Sequence, residues 1–302
     1  MKLHGCGTAL ITPFKQDQSI DEKALRQLVE WQITSGIHFL VPCGTTGETP
    51  TLSKAEWLRV IDITIEVAGG RVPIVAGATS NSTADAVEKA EELGRRKGVD
   101  AILTASPYYN KPTQEGQYQH FKAIAEAVDK PLMLYSVQSR TGVNIEPATL
   151  GRLAKIPNII AVKEASGNIS QISEVFSHVP ESFLVFSGDD AVTLPVISLG
   201  GVGIISVCSN EVPKEMSDLT AAALNNDWKK ARALHRKFVR LMQANFIESN
   251  PMPVKAVLAM MGRIEEVYRL PMVPMRKETR DKLQQVAAEA GLLSAYASVS
   301  DF

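Results

Sequence analysis

Eight short apolar runs recur along this chain of 302 residues, separated by amphipathic stretches of helical period, and that alternation restricts the fold more than any other feature. The runs are Gly7-Thr8-Ala9-Leu10-Ile11, Phe39-Leu40-Val41-Pro42, Pro73-Ile74-Val75-Ala76-Gly77, Ala101-Ile102-Leu103-Thr104, Pro131-Leu132-Met133-Leu134-Tyr135, the run ending at Lys163, Phe183-Leu184-Val185-Phe186 and Gly203-Ile204-Ile205-Ser206-Val207. Helical periodicity covers 21–34, 54–68, 83–97, 116–128 and 170–178. N-cap signals open several of these, among them Ser53 with Glu56 three residues on, and Ser82 or Thr83. Continuously apolar strands alternating with helices predict a parallel sheet whose outer face is covered. Eight such units in about 225 residues predict an α/β protein of the (β/α)8 or TIM-barrel type, for which about 250 residues is usual. A doubly wound open sheet is the second architecture, but Thr12-Pro13-Phe14 follows the first strand where a G-x-G-x-x-G turn would stand.

After the eighth strand the pattern turns helical, with candidate helices at 215–224, 228–245, 253–261 and 277–290. Asn225-Asn226, Asn250-Pro251 and Pro271-Met272-Val273-Pro274 separate them. The expected division is a catalytic barrel at 1–224 and a C-terminal helical extension at 225–302, with residues 294–302 small and polar enough to fray. A composition 45% hydrophobic and 22% charged, with net charge −1, suits a large buried core and no general attraction to nucleic acid or anionic membrane. Met1 to Gly5 carries no apolar leader, and the near-apolar run 196–208 is too short and glycine-rich to cross a bilayer, so the expectation is cytoplasmic. Cys6, Cys43 and Cys208 fall in strands one, two and eight; without C-x-x-C or H-x-x-x-H spacing they read as core residues, and no metal site is expected.

Chemistry in such barrels gathers at the C-terminal strand ends. The segment Asn158-Ile159-Ile160-Ala161-Val162-Lys163-Glu164-Ala165-Ser166-Gly167 ends an apolar strand with a lysine. Lost hydration there frees a neutral amine to attack a carbonyl, making Lys163 a candidate Schiff-base nucleophile; the bland alternative is a stem packed on the strand end with its ammonium in solvent. Gly44-Thr45-Thr46-Gly47-Glu48 is either a carboxylate cradle or a threonine-capped glycine turn. The tyrosines of Ser106-Pro107-Tyr108-Tyr109-Asn110-Lys111-Pro112 serve as phenolic acids or as interface aromatics. Tyr135 and Arg140 place a phenol and a guanidinium near the lysine strand, with Arg140 clamping a carboxylate or pairing with a loop acid. Asp189 and Asp190 are neighbours in sequence, so their side chains diverge, and one suits a helix N-cap better than both suit a magnesium ion.

Taken together, the segments around Thr45, Tyr109, Tyr135 with Arg140-Thr141-Gly142, and Lys163 resemble the dihydrodipicolinate synthase family, within the pyruvate-dependent class I aldolase and lyase superfamily. The likeness runs from Gly5 to about Leu293 and includes Gly200-Gly201-Val202-Gly203-Ile204-Ile205-Ser206 and Pro271-Met272-Val273-Pro274. It implies condensation of pyruvate with L-aspartate 4-semialdehyde to 4-hydroxy-tetrahydrodipicolinate, the entry to the diaminopimelate route to lysine. It implies no cofactor, because the iminium on Lys163 is the electron sink. By the same resemblance Tyr135 is the general acid and base, linked through Thr45 to Tyr109 as a proton relay. Thr46 holds the pyruvate carboxylate, Arg140 binds the carboxylate of the aldehyde, and Gly188 and the Ile205 carbonyl line the pocket. Tyr108 or Tyr109 crosses a dimer interface, which implies a homo-oligomer, a dimer or a tetramer made of two dimers.

The chain departs from the family at Tyr135-Ser136-Val137-Gln138, where Tyr-Asn-Val-Pro is usual. Losing the proline loosens the loop of Arg140, and losing the asparagine removes a donor and acceptor, so substrate choice is open to change. Relatives acting on N-acetylneuraminate, 4-hydroxy-2-oxoglutarate or 2-keto-3-deoxygluconate share the lysine and tyrosine but usually lack the arginine, and Arg140 favours the synthase over them. A non-catalytic binding paralogue is the reading from another class; the intact lysine, tyrosine and threonine set speaks against it. Lysine-inhibited members bind L-lysine at positions matching Thr49, Pro50, Lys54, Trp57, Asn81, Asp85 and Tyr108. Lys54 and Trp57 stand where histidines are frequent, and Asp85 is one methylene shorter than the usual glutamate, so weak feedback control is expected.

Overall fold

The computed structural model describes residues 3–293, so the stretch at 294–302 and the first two residues lie outside it. The chain runs β1 (Gly5–Ala9), α1 (Glu22–Thr34), β2 (Phe39–Val41), α2 (Lys54–Ala68), β3 (Val75–Gly77), α3 (Thr83–Arg95), β4 (Ala101–Ala105) and α4 (Gln114–Glu126). It continues through β5 (Leu132–Ser136), α5 (Gln138–Thr141), α6 (Pro147–Leu153), β6 (Ile159–Glu164), α7 (Ile169–His178), β7 (Leu184–Ser187), α8 (Thr193–Ser198) and β8 (Gly203–Ser206). The helices α9 (Pro213–Leu224), α10 (Trp228–Ala244), α11 (Met252–Met260) and α12 (Lys277–Glu289) complete it. The eight strands pair in the order β2-β1-β8-β7-β6-β5-β4-β3, parallel throughout. A parallel bridge between Leu40 and Ile74 closes the ring, with the Leu40 N–H on the Pro73 carbonyl and the Gly77 N–H on the Pro42 carbonyl, both at 3.0 Å. This is a (β/α)8 barrel with C-terminal helices.

The period-two alternation of each strand sorts side chains into two layers. Phe39, Val41, Leu103, Ala105, Met133, Tyr135, Ala161, Phe186 and Ile205 fill the interior. Leu40, Ile102, Leu134, Val162, Val185 and Ile204 face the helices. The interior is packed by large against small: Phe39 and Phe186 meet edge to face at 5.5 Å, and a Cβ at Gly7 would come within 2.1 Å of the Phe39 ring.

Local chemistry sets the helix starts. Ser53 and Glu56 form a reciprocal capping box on α2, and Ser82 caps α3. The helix expected from 116 begins at Gln114 instead, because the Thr113 hydroxyl accepts the Gly116 N–H and pulls the glycine into the first turn. Sequence periodicity did not indicate α5, α6 and α8; with 4, 7 and 6 residues they are too short to display a period. Of the cysteines only Cys6 is in a strand; Cys43 and Cys208 follow β2 and β8 in the turns. All three are buried free thiols, which burial holds well above the ordinary thiol range.

The C-terminal helices share core with the barrel. Every residue of α11 from Met252 to Leu258 is buried. Val254 and Leu258 pack with Ile11, Leu28 and Val207, while Met252, Ala256 and Val257 meet Ala244, Tyr268, Leu283 and Ala287. No described helix is long and apolar enough to cross a membrane.

Candidate active site

Alternation along β6 turns Ala161 and Lys163 into the barrel and Val162 and Glu164 outward. Lys163 is therefore buried, 5% exposed, at the end of an apolar strand. The register of β5 against β6 sets Tyr135 directly beside it, with Nζ 4.2 Å from the centre of the phenol ring. Gly188 closes the other side: its N–H donates to the Glu164 carbonyl at 2.7 Å, and a Cβ there would lie 3.1 Å from the Lys163 Cγ and 2.6 Å from the Ala165 Cβ. Only glycine permits that approach. Ile205 sits on β8 in the same inner layer.

The turn after β2 brings in the threonines. Thr45–Gly47 form one 3₁₀ turn, tied down by the Thr12 hydroxyl on the Gly47 carbonyl at 2.8 Å and the Thr49 hydroxyl on the Gly44 carbonyl at 2.9 Å. Thr46 is buried and its hydroxyl accepts the Asn250 side-chain amide at 2.9 Å. Thr45 and Tyr135 line a cavity of about 240 Å³ with Thr79, Leu103, Tyr108 and Arg140. A second cavity of about 370 Å³, lined by Ser139, Arg140, Gly188, Asp189 and Asn250 among others, lies beyond Arg140. Lys163 touches a lining residue of each, its amine lying over the Tyr135 ring of one and its stem close to Gly188 of the other. Arg140, exposed on α5, borders both, and its Nη2 donates to the Asn250 carbonyl at 3.3 Å. The mouth thus holds a guanidinium where a carboxylate entering from solvent would meet it.

Other residues sit where the sequence expectation did not put them. Ser136 faces away from the cavity: it is fully buried in the outer layer, its hydroxyl donating to Asn144 Oδ1 at 3.1 Å and accepting the Ile145 N–H at 3.3 Å. Strand alternation is the reason, since Tyr135 points inward and its neighbour cannot. The missing asparagine therefore removes no group from the cavity. Gln138 is the exposed first residue of α5, where proline is well tolerated. Tyr108 reaches the cavity that Thr45 and Tyr135 line, but Tyr109, at φ 71°, is 86% exposed and outside its lining. One chain alone does not bring Tyr109 to the other site residues.

Asp189 Oδ1 caps the next turn through the Ala191 N–H at 2.9 Å. Asp190 is buried, accepting from the Ser206 hydroxyl and from the Val207 and Cys208 N–H groups, and burial pushes its carboxyl up to about 6. The two acids serve separate structural partners, and among the described residues no acidic, histidine or cysteine cluster suits a metal. Lys54 pairs with Glu88 at 2.6 Å, and Trp57 is buried with its indole N–H on the Gly77 carbonyl at 3.0 Å. With Thr49 and Asp85 they line a cavity of about 190 Å³, whereas Pro50 and Tyr108 line the one that holds Thr45 and Tyr135, and Asn81 lines neither.

Sequence reasoning missed Asn250, whose amide reaches Thr46 from outside the barrel, and Thr79, whose hydroxyl accepts the Ala105 N–H at 3.0 Å in the cavity wall. Asn250 read only as the partner of a helix-separating proline.

A buried primary amine beside a phenol at the C-terminal mouth of a (β/α)8 barrel, with threonine hydroxyls and a guanidinium near it, is an arrangement suited to an imine-forming enzyme of the class I aldolase and lyase type. The chain belongs to the dihydrodipicolinate synthetase family, whose model matches residues 2–290. It is 73% identical over 293 residues to a 4-hydroxy-tetrahydrodipicolinate synthase of Koribacter versatilis, covering 97% of this chain and 98% of the relative. A synthase of the same name from Acidobacterium capsulatum is 60% identical over 294 residues, covering 97% of each. Among solved structures, the chloride-inhibited dihydrodipicolinate synthase of Acinetobacter baumannii complexed with pyruvate superposes with a TM-score of 0.93 at 43% identity, covering 97% of this chain and all of that one.

Proposed function

We propose that the chain is a 4-hydroxy-tetrahydrodipicolinate synthase, a lyase that condenses pyruvate with L-aspartate 4-semialdehyde in the diaminopimelate route to lysine. The observation that carries this reading is Lys163, 5% exposed at the end of β6 with its amine 4.2 Å from the Tyr135 ring. The neutral amine attacks C2 of pyruvate, and Tyr135 supplies the proton with which the carbinol oxygen leaves as water. The resulting iminium withdraws electrons, so the methyl carbon loses a proton to the phenolate and becomes an enamine. That carbon adds to the aldehyde, whose oxygen takes the proton back. The substrate's own amine then displaces Lys163 from C2 and closes the ring, and the proton that this nitrogen sheds returns to the Tyr135 phenolate, which restores the enzyme.

In this reading Thr46 holds the pyruvate carboxylate, Arg140 the carboxylate of the aldehyde, and Gly188 and Ile205 shape the pocket. Thr45 passes protons between Tyr135 and Tyr109 of a second subunit, in keeping with the exposure of Tyr109. The assembly is a homotetramer built as a dimer of dimers, cytoplasmic, without nucleic-acid or membrane partners. The iminium supplies the electron sink, so the reaction needs no further cofactor or metal. Borohydride added with pyruvate tests the chemistry: one reduced adduct is expected, on Lys163, and none in Lys163→Ala. An adduct mapped to Lys111 or Lys155 overturns the assignment.

A further inference from the structure

Two lysines are buried among the described residues, and the second, Lys255, has no part in the chemistry above. It lies in the middle of α11, 0% exposed, and its Nζ is 2.5 Å from Glu48 Oε1, with the Glu48 side chain 1% exposed. The surroundings are apolar: the Nζ sits 4.5 Å from the Phe14 ring centre and 5.3 Å from that of Tyr268. The second Glu48 oxygen accepts the Arg269 N–H at 3.4 Å. A buried carboxylate holds the Lys255 amine, so it is no second nucleophile.

Stability alone does not account for such a pair, since desolvating two charges offsets their attraction and an apolar pair of equal volume usually does as well or better. What an apolar pair lacks is direction. Glu48 ends the Thr45–Gly47 turn, in the left-handed region at φ 51°, with its N–H on the Thr45 carbonyl at 3.1 Å. A residue other than glycine held there needs its side chain anchored. The chain entering α11 also supplies Asn250, whose amide donates to the Thr46 hydroxyl at 2.9 Å. The turn that carries both threonines is thus gripped from the C-terminal extension at two points.

We propose that Lys255 is a positioning residue, fixing the Thr45-Thr46 turn for pyruvate through its buried ion pair with Glu48. The proposal rests on the reading of Thr46 as the pyruvate carboxylate site. Its test compares Glu48→Gln, nearly isosteric and able to keep a hydrogen bond from Lys255, with the neutral double variant Glu48→Gln/Lys255→Met. Readouts are the melting temperature, the pyruvate concentration that half-saturates borohydride trapping, and the KM for the semialdehyde.

The double variant is expected to melt within a few degrees of wild type yet to need at least tenfold more pyruvate, with the semialdehyde KM unchanged. Glu48→Gln is expected to show the same pyruvate defect in milder form. A folded double variant with wild-type pyruvate dependence overturns the proposal, because the pair is then merely structural. If the double variant does not fold, Glu48→Gln decides by the same criterion. Absence of any pyruvate adduct in the wild type would instead sink the enzymatic reading, which keeps the two failures apart.

Discussion

Lys163 and Glu164 are adjacent in one strand and meet opposite surroundings. Lys163 points into the barrel beside Tyr135, while Glu164 is buried in the outer layer, where its Oε1 accepts the Ser166 N–H at 2.7 Å and burial holds its carboxyl above the usual range. The same alternation separates Tyr135 from Ser136, and from the inward orientation of Tyr135 alone Ser136 is assignable to the outer layer. Substrate choice then falls on groups that do reach the cavities, Arg140 foremost. Arg140→Ala is expected to weaken use of the semialdehyde by about 1.5–3 kcal/mol, the worth of a charge-assisted hydrogen bond, and to leave pyruvate imine formation near wild type. Steady-state kinetics beside single-turnover trapping measures both, and equal losses would assign Arg140 a structural role. Lys163, Tyr135, Thr46 and Arg140 were legible because each ends or follows an apolar run. Asn250 was not, since its bond to Thr46 spans 204 residues and nothing in a helical period reports so distant a contact.

Elements decide how the site responds to its surroundings. The cavity between α2 and α3 already holds its own charge pair, Lys54 on Glu88, and the buried Trp57 fills part of the space. A cationic amino acid arriving there meets Lys54 and Lys89 and finds Glu88 engaged, so activity is expected to be nearly unaffected by millimolar L-lysine; strong saturable inhibition of initial rates would refute this. On α4, His120 is 3% exposed, its Nδ1 shares a hydrogen bond with the Thr83 hydroxyl at 2.9 Å, and burial lowers it from the ordinary 6.5 to about 4. Above pH 6.5 the ring is neutral in both folded and unfolded chains. Between that pH and about 4 only the unfolded chain takes up the proton, so stability falls with pH across the window, by about 3 kcal/mol in total. His120→Gln should flatten this part of the urea-melt profile, and an unchanged slope would exclude His120 as its source. The long helices could be read from period and caps, Ser53 with Glu56 above all, whereas α5, α6 and α8 required the fold, because contacts rather than propensity hold helices of one or two turns.

Across the whole molecule, the barrel was legible because eight apolar runs alternate with helical stretches and the first is followed by Thr12-Pro13-Phe14 rather than the glycine turn of a doubly wound sheet, but the seating of α11 inside the core was not. The other feature that one chain leaves open is Tyr109. A tyrosine 86% exposed at φ 71° bears a strained backbone and a large apolar ring in solvent, costs that an isologous interface burying the ring against a second copy would offset. If Tyr109 completes the relay of the neighbouring site, two inactive variants can repair each other. In a hybrid dimer of Lys163→Ala and Tyr109→Phe subunits, one site carries both lesions and the other carries neither. Random co-assembly of equal amounts should then restore roughly a quarter of wild-type activity, since half the dimers are hybrids with one intact site of two. Were Tyr109 to serve its own chain, every site in the mixture would keep one lesion. Activity no greater than the sum of the separate variants, in co-expressed protein verified as mixed by mass spectrometry, would show that the relay closes within one subunit.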